Sequence, residues 1–280
     1  MVLKNLRFFG YAVSFALFVL IVPHVAAQEK SKAAKKYDRE FCSNNWSNGD
    51  KVAANEVRES TLSGGSLTVD GKRNGGIRVR GENRADILVR ACVQTWAGTL
   101  EEAQALAKNI RIETGSTVRA EGMSEESNWS VSYEILVPRT TNLKLSTLNG
   151  GIGIKDVEGT IEFEAKNGGI HLSNLAGDVR GRTTNGGLHI ELGGASWRGN
   201  GIDVETTNGG VHLAMPANYA ARFETRTVNG GFKSDIPGLE TERDENGYRR
   251  QGVNISRDLN GGGALVRVVT TNGGVKIGAN

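Results

Sequence analysis

The chain has 280 residues, of which 38 are Gly and only 4 Pro, and its formal net charge is +3. Glycine stands at about twice its usual share of roughly 7%, and the scarcity of Pro excludes collagen-like and Pro-rich disordered chains. With 38% apolar and 23% charged residues the chain can bury a core, so the glycine serves turns, bulges or repeats inside a fold.

Residues 1–27 read as a signal peptide. Lys4 and Arg7 form a basic start, residues 8–22 carry no charge, and Val25-Ala26-Ala27 supplies small residues before a cut at Gln28. The apolar run is shorter than the ~20 residues a spanning helix needs, so no stable membrane span is expected after cleavage. Losing Lys4 and Arg7 lowers the net charge from +3 to +1, which removes basicity as an argument for a nucleic-acid partner. Residues 28–40, with Lys30, Lys32, Lys35 and Lys36, read as a solvated linker before a domain over 41–280. Export to an oxidising compartment lets Cys42 and Cys92 close a disulfide.

Within the domain, Leu67 and Val69, then residues 87–91, then Trp129-Val131-Tyr133-Ile135-Val137 mark strands by their alternation. Between them residues 99–109 predict the one short helix, opened by a capping box of Thr99 and Glu102 and placed to cover an end of the core.

Asn-Gly-Gly then recurs, beginning at Asn74, Asn149, Asn167, Asn185, Asn208, Asn229, Asn260 and Asn272. Apolar residues keep a fixed phase to six of these. Three and five residues after the Asn stand pairs such as Ile152 and Ile154, or Leu188 and Ile190; two, four and six before it stand sets such as Leu143, Leu145 and Thr147. Period two on both sides means strands, and the one-residue phase change across the triplet predicts a corner or bulge in which Gly adopts positive φ and stands where no Cβ fits. The expected fold is all-β: a right-handed β-helix-like β-solenoid of stacked rungs of about 18–23 residues, with Asn149, Asn167, Asn185, Asn208, Asn229 and Asn272 at equivalent corners in an amide ladder. Asn74 matches only downstream and Asn260 on neither side, so neither is counted as a rung.

The strand ending Val137-Pro138, the run Leu143-x-Leu145-x-Thr147-x-Asn149-Gly150, the repeated Thr-Thr-Asn-Gly-Gly at Thr183, Thr206 and Thr270, and Trp197-x-Gly199-x-Gly201 resemble the bacterial putative-adhesin domain family of unknown function. That family is similar to the β-solenoid head domains of some autotransporter adhesins. The resemblance covers residues 41–280 and implies an adhesion-type architecture without naming a ligand. The 280 residues show no lipidation cysteine, membrane-barrel pattern or sorting tail, which points to a periplasmic or secreted protein.

Outward positions form columns. Five before the Asn stand Lys144, Glu162, Arg180, Asp203, Glu224 and Arg267, and three before it Ser146, Glu164, Arg182, Glu205, Arg226 and Val269. Signs largely alternate, as register-setting ion pairs would, and no tuned pair of carboxylates or nucleophile constellation marks an enzyme; neither catalytic residues nor a cofactor are expected. Four after the Asn the column runs Gly153, His171, His189, His212, Lys233 and Lys276, with Arg78 equivalent to them, and no acid interrupts it. It suits an anionic partner, a glycan or an envelope protein. His189, His212 and Glu191 form a weak candidate for Zn²⁺ or Ni²⁺, which is not favoured. Trp197, on a Gly-rich insertion, is a candidate sugar contact or a residue folded over the sheet. The charged excursion over 235–258 carries Asn246-Gly247 as a hairpin turn and is expected to cap the last rung. The leading expectation is a non-enzymatic exported interaction module, structural or adhesive; the alternative is a carbohydrate- or polyanion-binding module using the His/Lys column.

Overall fold

The computed structural model describes residues 41–42, 50–122, 128–239 and 252–280. The predicted signal peptide, the linker and the Asn246-Gly247 turn lie outside these. The description below concerns the unit Phe41–Asn280.

The described residues form strands almost throughout. The chain runs β1 (Val52–Ser63), β2 (Ser66–Asp70), β3 (Ile77–Glu82), β4 (Asp86–Ala97), α1 (Leu100–Lys108), β5 (Arg111–Thr114), β6 (Val118–Glu121) and β7 (Trp129–Pro138). It continues β8 (Asn142–Asn149), β9 (Ile152–Lys155), β10 (Glu158–Asn167), β11 (Ile170–Ser173), β12 (Ala176–Asn185), β13 (Leu188–Glu191), β14 (Gly201–Asn208) and β15 (Val211–Met215). Last come β16 (Ala221–Asn229), β17 (Phe232–Ser234), β18 (Val253–Leu259), β19 (Leu265–Asn272) and β20 (Val275–Ala279).

The all-β class holds, but the β-solenoid of rungs stacked in chain order does not. The strands lie in two ten-stranded sheets that mix parallel and antiparallel pairs: sheet I in the order β1-β4-β7-β3-β9-β11-β13-β15-β20-β17, and sheet II in the order β18-β16-β19-β14-β12-β10-β8-β2-β6-β5. The pairs β1·β4, β4·β7, β5·β6 and β16·β18 are antiparallel. Strand order also departs from chain order, because β19 enters between β14 and β16, and β20 between β15 and β17. Charge gives a physical reason. In chain order Asp203 would lie beside Glu224; with β19 inserted, Arg267 pairs with Asp203 on one side and faces Glu224 on the other. Like charges directly opposite each other destabilise a sheet, and opposite charges support it.

Each Asn-Gly-Gly except the one at Asn260 carries the chain from sheet II to sheet I, as from β8 to β9 or from β12 to β13. The alternating apolar residues of both sheets face one another in a single core that includes Leu145, Ile152, Ile161, Leu188, Val204, Phe223 and Ile277. The expected positive φ at these corners is not present; none of the triplet glycines at Asn149, Asn167, Asn185, Asn208, Asn229 or Asn272 falls in that region. Space is the reason for glycine instead. A Cβ on Gly168 would lie 1.9 Å from the Gly150 carbonyl oxygen, and one on Gly186 would lie 2.0 Å from that of Gly168. The second glycine of each triplet is far less confined, and a Cβ on Gly231 would meet nothing within 4 Å.

Two further devices lock the corners. Buried threonines donate to the neighbouring corner's carbonyl: Thr147 to Gly75, Thr183 to Gly168, Thr206 to Gly186, Thr270 to Gly209 and Thr227 to Gly273, at 2.7–2.9 Å. Asparagine amides then form a directional ladder in which Asn149 donates to Asn74, Asn167 to Asn149, Asn185 to Asn167, Asn208 to Asn185, Asn272 to Asn208 and Asn229 to Asn272. Asn74 therefore joins the corners, although no strand leads directly into it. Asn260 does not; it sits at φ 48° in a left-handed run through Gly263 and donates to the Tyr219 carbonyl at 2.9 Å. That turn sends the chain from β18 past β16 to β19.

At the other end, α1 has the expected capping box, with Thr99 Oγ1 accepting from the Glu102 N–H and the Glu102 carboxylate accepting from the Thr99 N–H. It buries Ala103 and Ala107, and Arg58 of β1 donates to its Ala107 carbonyl at 2.7 Å. Cys42 and Cys92 are bonded, closing a 50-residue separation; such a closure contributes about 2–4 kcal/mol. The strand formed by the end of the excursion, β18, pairs with β16 and forms one edge of sheet II.

Two outcomes are expected on chemical denaturation. Gly168→Ala loses about 3 kcal/mol, the upper range for an overpacked core position, whereas Gly231→Ala stays within about 0.5 kcal/mol. Ala165 occupies the threonine position of its strand, aligned with Thr147 and Thr183; Ala165→Thr gains about 1 kcal/mol by adding the missing donor, and Thr206→Val loses a similar amount. Equal losses for Gly168→Ala and Gly231→Ala would remove the spacing argument.

Candidate functional site

The strand register turns the His/Lys column into part of a longer row on the outer face of sheet I. Lateral neighbours run Glu59, Arg90, Glu134, Arg78, Gly153, His171, His189, His212, Lys276 and Lys233, one from each strand. Its two halves differ. In the first, Arg90 Nε donates to Glu59 at 3.0 Å and Arg90 Nη1 to Glu134, with the Arg90 and Glu134 side chains only 7% and 3% exposed. The Phe41 ring lies over this pair, its centroid 5.6 Å from the Arg90 guanidinium carbon, and the neighbouring Cys42–Cys92 bond ties that segment to β4.

The second half is open and has no acid within it. His171 and His189 stack with ring centroids 5.0 Å apart and planes at 10°, while His189 and His212 are 5.2 Å apart at 56°. Lys276 lies beside His212, and Lys233 beside Lys276 at the strand on the sheet's edge. Partial burial lowers the His171 pKa below the usual imidazole value, with His189 next in the same direction; Glu191 opposes them, and Arg78 adds the smallest lowering effect. Glu191 is occupied, its carboxylate accepting from Ser173 Oγ at 3.0 Å. Between the row and the asparagine ladder lies a second outward row made of the last glycine of each triplet, so the cations border a strip of bare backbone.

The other predicted residues fall as follows. His189, His212 and Glu191 do not converge on a metal position, and among the described residues no group of three His, Cys, Asp or Glu does. Trp197 is withdrawn as a sugar contact. It is 7% exposed, packs into the core, and its indole N–H donates to the Gly177 carbonyl at 3.0 Å; burying the large ring and satisfying its one donor outweighs leaving it on the tip. On sheet II the acids sit with arginines, as Glu164 with Arg182 at 2.9 Å and Glu224 with Arg222 at 3.1 Å, and these pairs cover that face with alternating sign. Sequence reasoning missed Glu59, Arg90, Glu134 and Phe41. Their strands pair antiparallel or lie outside the triplet repeat, so no phase relation aligned them with the column.

No family model matches the chain, and no curated protein matches it. Solved structures do. A putative cell adhesion protein from Clostridium sporogenes is 12% identical with a TM-score of 0.45, over 82% of this chain and 100% of its own. A putative adhesin from Bacteroides fragilis is 9% identical at 0.36, over 81% and 97%. A putative lipid binding protein from Parabacteroides distasonis is 8% identical at 0.29, over 82% and 97%.

The lowered His171 pKa has a stability consequence. The unfolded chain accepts a proton near pH 6.5 that the folded state resists, so His171 contributes stability in full above that pH and loses it as pH falls through its lowered value. Thermal melts between pH 7.5 and pH 5 should show a falling Tm whose slope is reduced in His171→Gln. An unchanged slope in that variant would exclude His171 as the source.

Proposed function

We propose that the protein is a non-enzymatic, exported interaction module of adhesion type in the bacterial cell envelope, and that it meets an anionic polymer, such as an acidic glycan, with the outer face of sheet I. One observation supports this above the others: His171, His189, His212, Lys276 and Lys233 stand on adjacent strands with no acid between them, whereas on sheet II cations and acids alternate. A surface that pairs its charges on one face and leaves them open on the other favours an oppositely charged partner on the open one. Neighbouring strands lie about 4.8 Å apart, so these five positions follow an extended polymer at regular intervals. Each exposed contact is worth only about 0–1 kcal/mol, and affinity comes from their number.

Export is supported by the signal-like leader and by the Cys42–Cys92 bond, which persists in an oxidising compartment. No helix among the described residues is long and apolar enough to cross a membrane. The resemblance to adhesin domains supports the module reading at the level of architecture.

The test is binding of the exported chain to immobilised acidic polysaccharide and to a neutral polysaccharide of matched length. Binding to the acidic polymer is expected to weaken with added salt, and to fall on the order of tenfold or more in the His171→Ala/His189→Ala/His212→Ala variant. Equal retention of the neutral polymer, or an unaltered triple variant, would overturn the reading.

A further inference from the structure

The cationic half of the row is broken at one place, Gly153, and the fold does not demand the break. Gly153 lies outside the left-handed region, and a Cβ built on it would meet only the Arg78 Cγ, at an ordinary 3.8 Å. The contrast with Gly150, whose Cβ would lie 2.2 Å from the Gly75 carbonyl oxygen, is sharp. Every other strand of the row carries a charged or imidazole side chain at this level. The missing side chain opens a depression of about 560 Å³ floored by glycine backbone.

The walls of that depression are chemically specific. Arg78 on β3 and His171 on β11 flank Gly153, one strand to each side, which sets them roughly 10 Å apart at two strand spacings. Arg78 is exposed and makes no ion pair among the described residues. Its charge reaches across the gap, since it is one of the groups that disfavour protonation of His171. Ser132 stands at the margin; its Oγ accepts the Gly76 N–H at 3.3 Å, which leaves the hydroxyl proton to donate elsewhere. Opposite stands Phe41, held by the disulfide next to it and by Arg90. The charged groups facing His171 are then Arg78 on β3 and His189 and Glu191 on β13, with Lys155 one step further along β9. Glu134, on the far side of Arg78, is engaged by Arg90.

We propose that this notch is an anion subsite for an acidic sugar unit, its carboxylate seated over Gly153 between Arg78 and His171 and the apolar face of its ring against Phe41. The inference rests on the anionic-polymer reading of the outer face and assigns the position at which a single unit of that polymer is held. A carboxylate there relieves the repulsion between two facing cations, and the aromatic wall selects a sugar over a small free acid.

The test uses the exported chain with a uronic acid trisaccharide, its neutral counterpart and acetate, following the His171 imidazole by NMR across pH. The acidic trisaccharide is expected to raise the His171 pKa, the neutral one to leave it unchanged, and acetate to bind on the order of tenfold more weakly. Gly153→Leu, which fills the notch at a position open to a side chain, should lose trisaccharide affinity by on the order of tenfold with its Tm retained. Gly153→Glu should raise the His171 pKa without ligand and exclude the trisaccharide. Phe41→Ala should weaken the trisaccharide and not acetate. Trisaccharide affinity unaltered in Gly153→Leu, or an unmoved His171 pKa on binding, would overturn the notch. A long acidic polymer that still holds to Gly153→Leu at full strength would overturn the notch alone, whereas its failure to bind the unmodified chain would overturn the surface reading itself.

Discussion

The structure depends on how closely one corner can lie on the next. At the first glycine of the six triplets that begin at Asn149, Asn167, Asn185, Asn208, Asn229 and Asn272, the neighbouring corner's carbonyl oxygen stands where a Cβ would be, as the Gly150 oxygen does at Gly168. Only hydrogen fits in that space, so the corners approach to sheet spacing on both sides of the core together. Once they do, the threonine two residues before the asparagine can reach the same class of carbonyl, and the asparagine amides can reach one another. These bonds are modest singly, about 1 kcal/mol each for a buried neutral pair. Their importance is geometric: a slip of one residue would break the threonine contact, the asparagine contact and the inward placement of the apolar residues at once.

Register fixed at the corners is inherited by both outer faces. On sheet II it sets Lys144, Glu162, Arg180, Asp203, Arg267 and Glu224 side by side in strictly alternating sign. On sheet I the same register makes a row with two characters. From Glu59 to Glu134 it alternates, with Arg90 and Glu134 buried and Phe41 against Arg90; from His171 to Lys233 it is open and carries no acid. The difference between the halves does not come from the corner device, which treats both faces alike. It comes from the residues chosen for positions the core does not constrain, and for that reason the open half is where function is sought.

Much of this was legible in the sequence because the device is local. The period-two alternation on each side of Asn-Gly-Gly identified strands such as β10 and β11, and their common phase brought His171, His189 and His212 into one column. The capping box of Thr99 and Glu102 marked the helix for the same reason. The failures lie where a feature depends on distant chain. Nothing near Asn272 says that its strand enters between those of Asn208 and Asn229; the information is in Asp203, Arg267 and Glu224, and it appears only when the alternatives are compared by charge. Asn74 was passed over because the chain reaches it through a turn containing Lys72 at φ 53° instead of a strand. For Trp197 the sequence offered both an exposed contact and a residue folded over the sheet, and the folded reading holds; a Gly-rich insertion does not reveal that the indole closes onto Gly177. Of the two reasons for glycine at the corners, positive φ and the lack of room for a Cβ, only the second holds.

A rigid periodic face changes what a single substitution means. In a compact binding pocket one residue can dominate affinity, because it is buried and its partners are fully desolvated. On an open row every contact stays near water and salt, so removing any one of His189, His212 or Lys276 is a small loss and removing several is a multiplicative one. Gly153 is where the two regimes meet. It adjoins the half of the row in which Arg90 and Glu134 are buried as an ion pair, has an aromatic wall on one side, and is flanked by cations at fixed spacing, so it combines partial enclosure with the register of the row. A periodic surface without such a position can hold a polymer but cannot tell one phase of it from another, since any shift by one repeat presents the same contacts. A break at a single strand removes that degeneracy. Position along the face is thereby specified without disturbing the glycine, threonine and asparagine contacts that keep the strands in register.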